Sequence, residues 1–132
     1  MLPLRYPRRW LIAGTVIVAL VAVLALAPLH WAARPMSAFN LSDKILHTLT
    51  FTVLALWFTG QYARASYWKL AVALIAFGLG IEAAQYFLPY RNAEVLDIAA
   101  NTVGIVGGLL VGALGAGGWS VTVESWLERS GA

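Results

Sequence analysis

From Trp10 to Leu29 the chain runs for twenty residues (WLIAGTVIVALVAVLALAPL) without a charged side chain. A helix needs about 20 mostly apolar residues to cross a hydrocarbon core roughly 30 Å thick. The run is longer than a strand needs and lacks the period-two alternation of a half-buried one. Comparable stretches follow at about 44–62, at about 68–88 (interrupted by Glu82) and at about 97–117. Seven of the twelve glycines fall between Gly104 and Gly118. Composition agrees: of 132 residues 61% are hydrophobic and 11% charged, with a mean hydropathy of +0.76. A soluble domain carries about 25% charged residues, and a disordered chain is poor in apolar ones. An ordinary soluble enzyme is excluded. The expected fold is all-α: a single domain over 1–132, an integral membrane bundle of four transmembrane helices with the lipid bilayer as its first partner.

Between the apolar runs, Pro28 and Pro35 are expected to end the first helix, with His30–Ser42 as a loop. Asn40, Ser42 and Asp43 then supply N-cap chemistry for the second helix. Pro89 closes the third, leaving a tight connection over 90–96, and the polar tail 119–132 is expected on the surface. Arg8 and Arg9 before the first run, and Ala25-Leu26-Ala27 near its end, have features of a signal peptide. The length of the run, and Pro28 directly after that triplet, favour an uncleaved anchor.

Orientation follows from the Lys and Arg count. Arg5, Arg8, Arg9, Arg64, Lys69 and Arg129 lie on one side of this four-span scheme; Arg34, Lys44 and Arg91 lie on the other. Six against three puts both termini in the cytoplasm. The net charge of +3 forms no basic stripe with interleaved aromatics, so no nucleic-acid partner is expected. The absence of cysteine excludes thiolate metal sites and cysteine nucleophiles.

That topology gathers the polar residues at one face. Asp43, Lys44 and His47 open the second helix, Glu82 and Gln85 lie near the end of the third, and Asp97 and Asn101 open the fourth. Arg91 is in the loop between the last two. Glu82 lies six residues before Leu88, about 9 Å deep, and Asn101 four residues inside Asp97, about 6 Å deep. The pairs Asp43/His47, Glu82/Gln85 and Asp97/Asn101 are spaced to share a helix face. In the fourth helix that face continues through Gly104, Gly108 and Gly112, a small-residue ridge suited to close helix packing. Taken singly, Asp43 and Asp97 read as caps, Lys44 and Arg91 as snorkelling residues, and Asn101 as interhelical glue. Glu82 resists such a reading, because an isolated carboxylate inside a membrane span must be paired, protonated or facing water.

At these positions the sequence resembles the VanZ-like family of small bacterial membrane proteins. The matching elements are Asp43-Lys44-x-x-His47, Glu82-x-x-Gln85, Pro89, Arg91 and Asp97-x-x-x-Asn101-x-x-Gly104. Thr48 departs from it, since an aromatic often follows the histidine in that family. The resemblance implies a multi-pass protein of the bacterial inner membrane. The founding member is associated with low-level resistance to teicoplanin, but no settled reaction comes with the family.

The expected function is an outward-facing site that binds an anionic lipid-linked or lipid-like cell-envelope molecule and has the groups to modify it. Lys44 and Arg91 would hold its phosphate or carboxylate, and His47 and Glu82 are the acid/base candidates. Gln85 and Asn101 would orient groups by hydrogen bonds, while Asp43 and Asp97 would fix His47 and Arg91 or hold a cation. No compact ligand motif marks a metal, so no cofactor is expected, although the carboxylates with His47 have the chemistry to bind a hard divalent cation. The alternatives are a non-enzymatic subunit of a homo- or hetero-oligomeric envelope assembly and, third, a small proton-coupled transporter.

Overall fold

The computed structural model describes residues 1–28, 36–91 and 93–131, with the backbone alone at 36–42. The regular elements among these residues are all helices: α1 (Pro7–Leu26), α2 (Met36–Thr59), α3 (Tyr67–Tyr86), α4 (Val95–Val111) and α5 (Trp119–Ser130). A short 3-10 turn at Arg64–Ser66 leads into α3, and a π turn at Gly112–Ala116 extends α4. Three of the helical stretches are long and apolar enough to cross a membrane: Pro7–Leu26, Arg64–Tyr86 and Val95–Ala116. α2 carries Asp43, Lys44, His47 and a run of threonines, which lower its hydropathy below theirs.

Three expectations are corrected here. α2 starts at Met36, so the loop placed over 30–42 is helical from residue 36, and residues 40–43 are interior to the helix and not its cap. No Pro or Gly occurs between Pro35 and Gly60 to stop the helix, and Asn, Ser and Asp act as caps only where a helix must begin. Arg34 and the rest of 29–35 lie outside the described residues. α1 runs over Pro7–Leu26 and not 10–29: Pro7 in the first turn has the φ a helix start requires, and Ala27 turns extended ahead of Pro28. The polar tail lies at the surface, where it forms a helix, α5, docked on the N-terminal residues.

The centre of the bundle is the α2–α4 pair, the most extensive helix contact in the molecule. Gly104 lies against the Thr48 carbonyl. A Cβ at Gly108 would come within 2.6 Å of the Ala55 methyl, and one at Gly112 within 2.7 Å of Thr59. At Gly104 and Gly108 the backbone of α2 approaches too closely for any side chain, and at Gly112 the Thr59 side chain fills the space. The Thr52 hydroxyl lies 2.8 Å from the Thr48 carbonyl and 3.2 Å from that of Gly104, and the Thr48 hydroxyl donates to the Ala100 carbonyl at 3.2 Å. Phe51, Leu54, Ala55, Leu74 and Ile105 form the apolar core. α3 joins through a stripe of Leu70, Leu74, Gly78, Ile81, Glu82 and Gln85. α1 is peripheral, with only Gly14 buried, against the rings of Trp57 and Phe58. Its Leu11, Ile12, Val16, Leu20, Val23 and Leu24 are exposed, a contiguous apolar face suited to lipid.

Candidate polar site at one end of the bundle

The N-terminal half of α2, the C-terminal end of α3, the start of α4 and the C-terminal end of α1 meet at one end of the bundle. All eight polar residues selected from the sequence lie there, in two groups.

The first group surrounds His47. Its Nδ1 lies 2.9 Å from Asn101 Oδ1, and because an amide oxygen only accepts, Nδ1 carries the hydrogen and donates it. The neutral ring then presents a lone pair at Nε2. Nε2 lies 3.8 Å from Asp43 Oδ2 and 3.8 Å from Asp97 Oδ2. On the Nδ1 side, Glu82 Oε1 is 4.0 Å away. Among the described residues neither Glu82 oxygen has a partner in hydrogen-bond geometry, nor does Asn101 Nδ2, although both residues are buried. Lys44 completes this group, donating to Glu94 Oε2 at 2.7 Å and Asp97 Oδ1 at 2.9 Å.

The second group holds the end of α1. Gln85 Nε2 donates to the Ala25 carbonyl at 2.9 Å, the Tyr90 hydroxyl to that of Leu26 at 2.9 Å, and Arg91 Nη2 to those of Leu24 and Ala27 at 3.1 Å each. The last carbonyls of a helix lack intrahelical partners and carry partial negative charge, which these donors satisfy. Asp97 is therefore engaged by Lys44, and Arg91 is engaged by α1.

Sequence reasoning missed Glu94, the residue before α4, as the second partner of Lys44. Its position three residues ahead of Asp97, at the start of the same helix, is the signal that pointed to it. With Glu94 included, four carboxyls (Asp43, Glu82, Glu94 and Asp97) gather with Lys44 and Arg91 among the described residues at this end.

A polar site at the opposite end was also missed. The Glu124 carboxylate of α5 accepts from the backbone N–H of Arg5 (2.7 Å) and of Tyr6 (3.0 Å), and from Trp10 Nε1 (2.8 Å). Above it Trp10, Trp57 and Trp119 pack with ring centroids 5.3–5.7 Å apart. The spacing of Trp119, Ser120, Val123 and Glu124 along one helical face was the signal for it.

A family model described as VanZ/LLP1 matches residues 4–115. The uncharacterized protein C11E3.10 of Schizosaccharomyces pombe is 30% identical over 102 residues, covering 74% of this chain and 63% of that protein. The chain thus spans just under two thirds of the length of that relative. No solved structure matches it.

Proposed function

The chain belongs to the VanZ/LLP1 family, and on that premise we propose that it is a four-span protein of the bacterial inner membrane, both termini cytoplasmic, binding an anionic lipid-linked or lipid-like envelope molecule at its outward-facing polar end. The ligand's tail stays in the bilayer beside the exposed apolar faces, and its head reaches the cluster around His47.

The observation that carries this reading is Glu82: a buried carboxylate with no hydrogen-bond partner among the described residues, facing His47 across 4.0 Å in a helix long and apolar enough to span. A structural network would have satisfied it. His47 and Glu82 are the acid/base pair. Lys44 has three donors, of which two are engaged by Glu94 and Asp97. Arg91 holds α1 through Nη2, and its charge would attract an anion. The assembly reading loses its main support, since Gly104, Gly108 and Gly112 face α2 of the same chain. The transporter reading is disfavoured because the second polar site is closed over by Glu124 and the tryptophans. The founding member's link to a lipoglycopeptide fits a ligand in the outer leaflet, but the proposal requires no resistance phenotype.

Native mass spectrometry of the protein extracted from bacterial membranes tests the reading. Wild type and Arg129→Ala should retain an anionic lipid adduct that Lys44→Gln and His47→Ala lose. The same adducts on all four would overturn it. Topology is tested by single cysteines, since the chain has none of its own. Cysteines at 43 and 91 should react with an impermeant thiol reagent from outside intact cells, and reaction only from the cytoplasmic side would invert the orientation.

A further inference from the structure

The trio at Nε2 of His47 has the wrong spacing for hydrogen bonds and a fitting one for a metal ion. One ligand atom each from Asp43, His47 and Asp97 lies within 4.8 Å of the others. The two Nε2–oxygen distances of 3.8 Å are too long to be hydrogen bonds. They are close to the roughly 3.0–3.5 Å that separates neighbouring ligands around an ion with bonds of about 2.1 Å. We propose that Asp43, His47 and Asp97 bind one first-row divalent cation, of the Mn²⁺ or Zn²⁺ class, through Nε2 and the two facing carboxylate oxygens.

Three further features fit a cation there. The outer contacts are those a metal site needs: Nδ1–H of His47 is held by Asn101 Oδ1, which fixes the tautomer that leaves Nε2 free. Asp97 is oriented by Lys44 through Oδ1, leaving Oδ2 for the ion. Independently, Glu82 is only 5% exposed, has no hydrogen-bond partner at either oxygen among the described residues, and lies against the same imidazole. A buried carboxyl in that state is either protonated or compensated by positive charge. A divalent cation on the other side of the ring would supply that charge. One imidazole with two carboxylates is a borderline-hard donor set, which selects first-row divalent ions over calcium or copper(I). Asp43 is a quarter exposed and offers the entry route.

The site rests on side-chain geometry alone. It is tested without lipid ligand, so its failure leaves the lipid reading standing, and loss of the lipid adduct leaves the cation site standing. The full chain in detergent, stripped with EDTA, is titrated with Mn²⁺ and followed by electron paramagnetic resonance, with Zn²⁺ as competitor. One Mn²⁺ per chain is expected, with a nitrogen coupling from the imidazole. Outer contacts of metal sites are worth about 10- to 100-fold in affinity, so Asp43→Asn and His47→Asn should each weaken binding by at least about tenfold. Glu128→Gln, an exposed acid at the other end, should leave it unchanged. Absence of saturable binding, absence of nitrogen coupling, or wild-type affinity in Asp43→Asn and His47→Asn would overturn the proposal. Weakening confined to variants that also melt earlier when metal-free, by tryptophan fluorescence, would overturn it too. Asp97→Asn is the poorer probe because it also removes a partner of Lys44.

Discussion

The two ends of the bundle each bury a glutamate, and the two are treated in opposite ways. Glu124 is 8% exposed and accepts three hydrogen bonds, two from backbone N–H groups of the N-terminal segment and one from an indole. Glu82 is 5% exposed and, among the described residues, accepts none in hydrogen-bond geometry. The orphans near Glu124, Trp57 Nε1 and the Ser120 hydroxyl, are neutral groups whose burial costs far less than that of a charge. One end uses its acid to close the fold by fastening α5 to the N-terminus. The other holds its acid unsatisfied, beside a histidine and two further carboxylates, in an arrangement that stability alone does not select.

Four measurements sharpen or break that contrast. The largest effect is expected from Gly108→Leu, because even a Cβ there meets Ala55 and the Thr52 carbonyl at under 3 Å. It should part α2 from α4 and disorder both ends together, read as loss of the monodisperse peak in detergent. If it folds normally, the α2–α4 seam does not link the ends. Next comes Glu124→Ala, which removes the acceptor of three part-buried hydrogen bonds and should cost about 1–3 kcal/mol in a thermal or denaturant melt. A loss below about 1 kcal/mol would show that the α5 clasp contributes little.

The third is a pH dependence. Burial alone would push the Glu124 carboxyl up, but the hydrogen bonds from Arg5 N–H, Trp10 and Tyr6 N–H outweigh it and hold the group below the ordinary value of about 4.5. A depressed folded-state pKa gives stability that is present above the ordinary value and lost as pH falls through the folded one. The fluorescence of the Trp10–Trp57–Trp119 cluster should therefore change on acidification below about pH 4, and Glu124→Gln should abolish that step. A step persisting in the variant would assign it elsewhere. The smallest stability effect belongs to Glu82→Gln, expected within about 1 kcal/mol of wild type because no partner is lost. Lipid-adduct retention should fall nonetheless. A melt shifted as far as that of Glu124→Ala would make Glu82 structural and erase the contrast.

The polar end was legible in the sequence because helical spacing is local. Asp43 and His47, Glu82 and Gln85, and Asp97 and Asn101 share faces by the 3.6-residue period, and a glycine every fourth residue marks the α4 face that meets α2. The start of α2 was not legible: nothing in residues 36–43 forbids helix, and cap-forming side chains mark an end only when the backbone stops there. Glu94 and Glu124 were missed because neither interrupts an apolar run, and it was by interrupting one that Glu82 was noticed.

By itself the sequence determined that this chain is helical, that its apolar runs suit a membrane, and which polar residues share a helix face. It indicated four spans, of which three match described helices long and apolar enough to cross. These follow from run length and period, properties of a few neighbouring residues. The tertiary structure alone decided the pairings: Lys44 with Asp97 and Glu94, Arg91 and Gln85 with the end of α1, and Glu124 with residues more than a hundred positions away. Those contacts depend on how far each helix is rotated and how closely it approaches its neighbour, which the glycine seam between α2 and α4 sets.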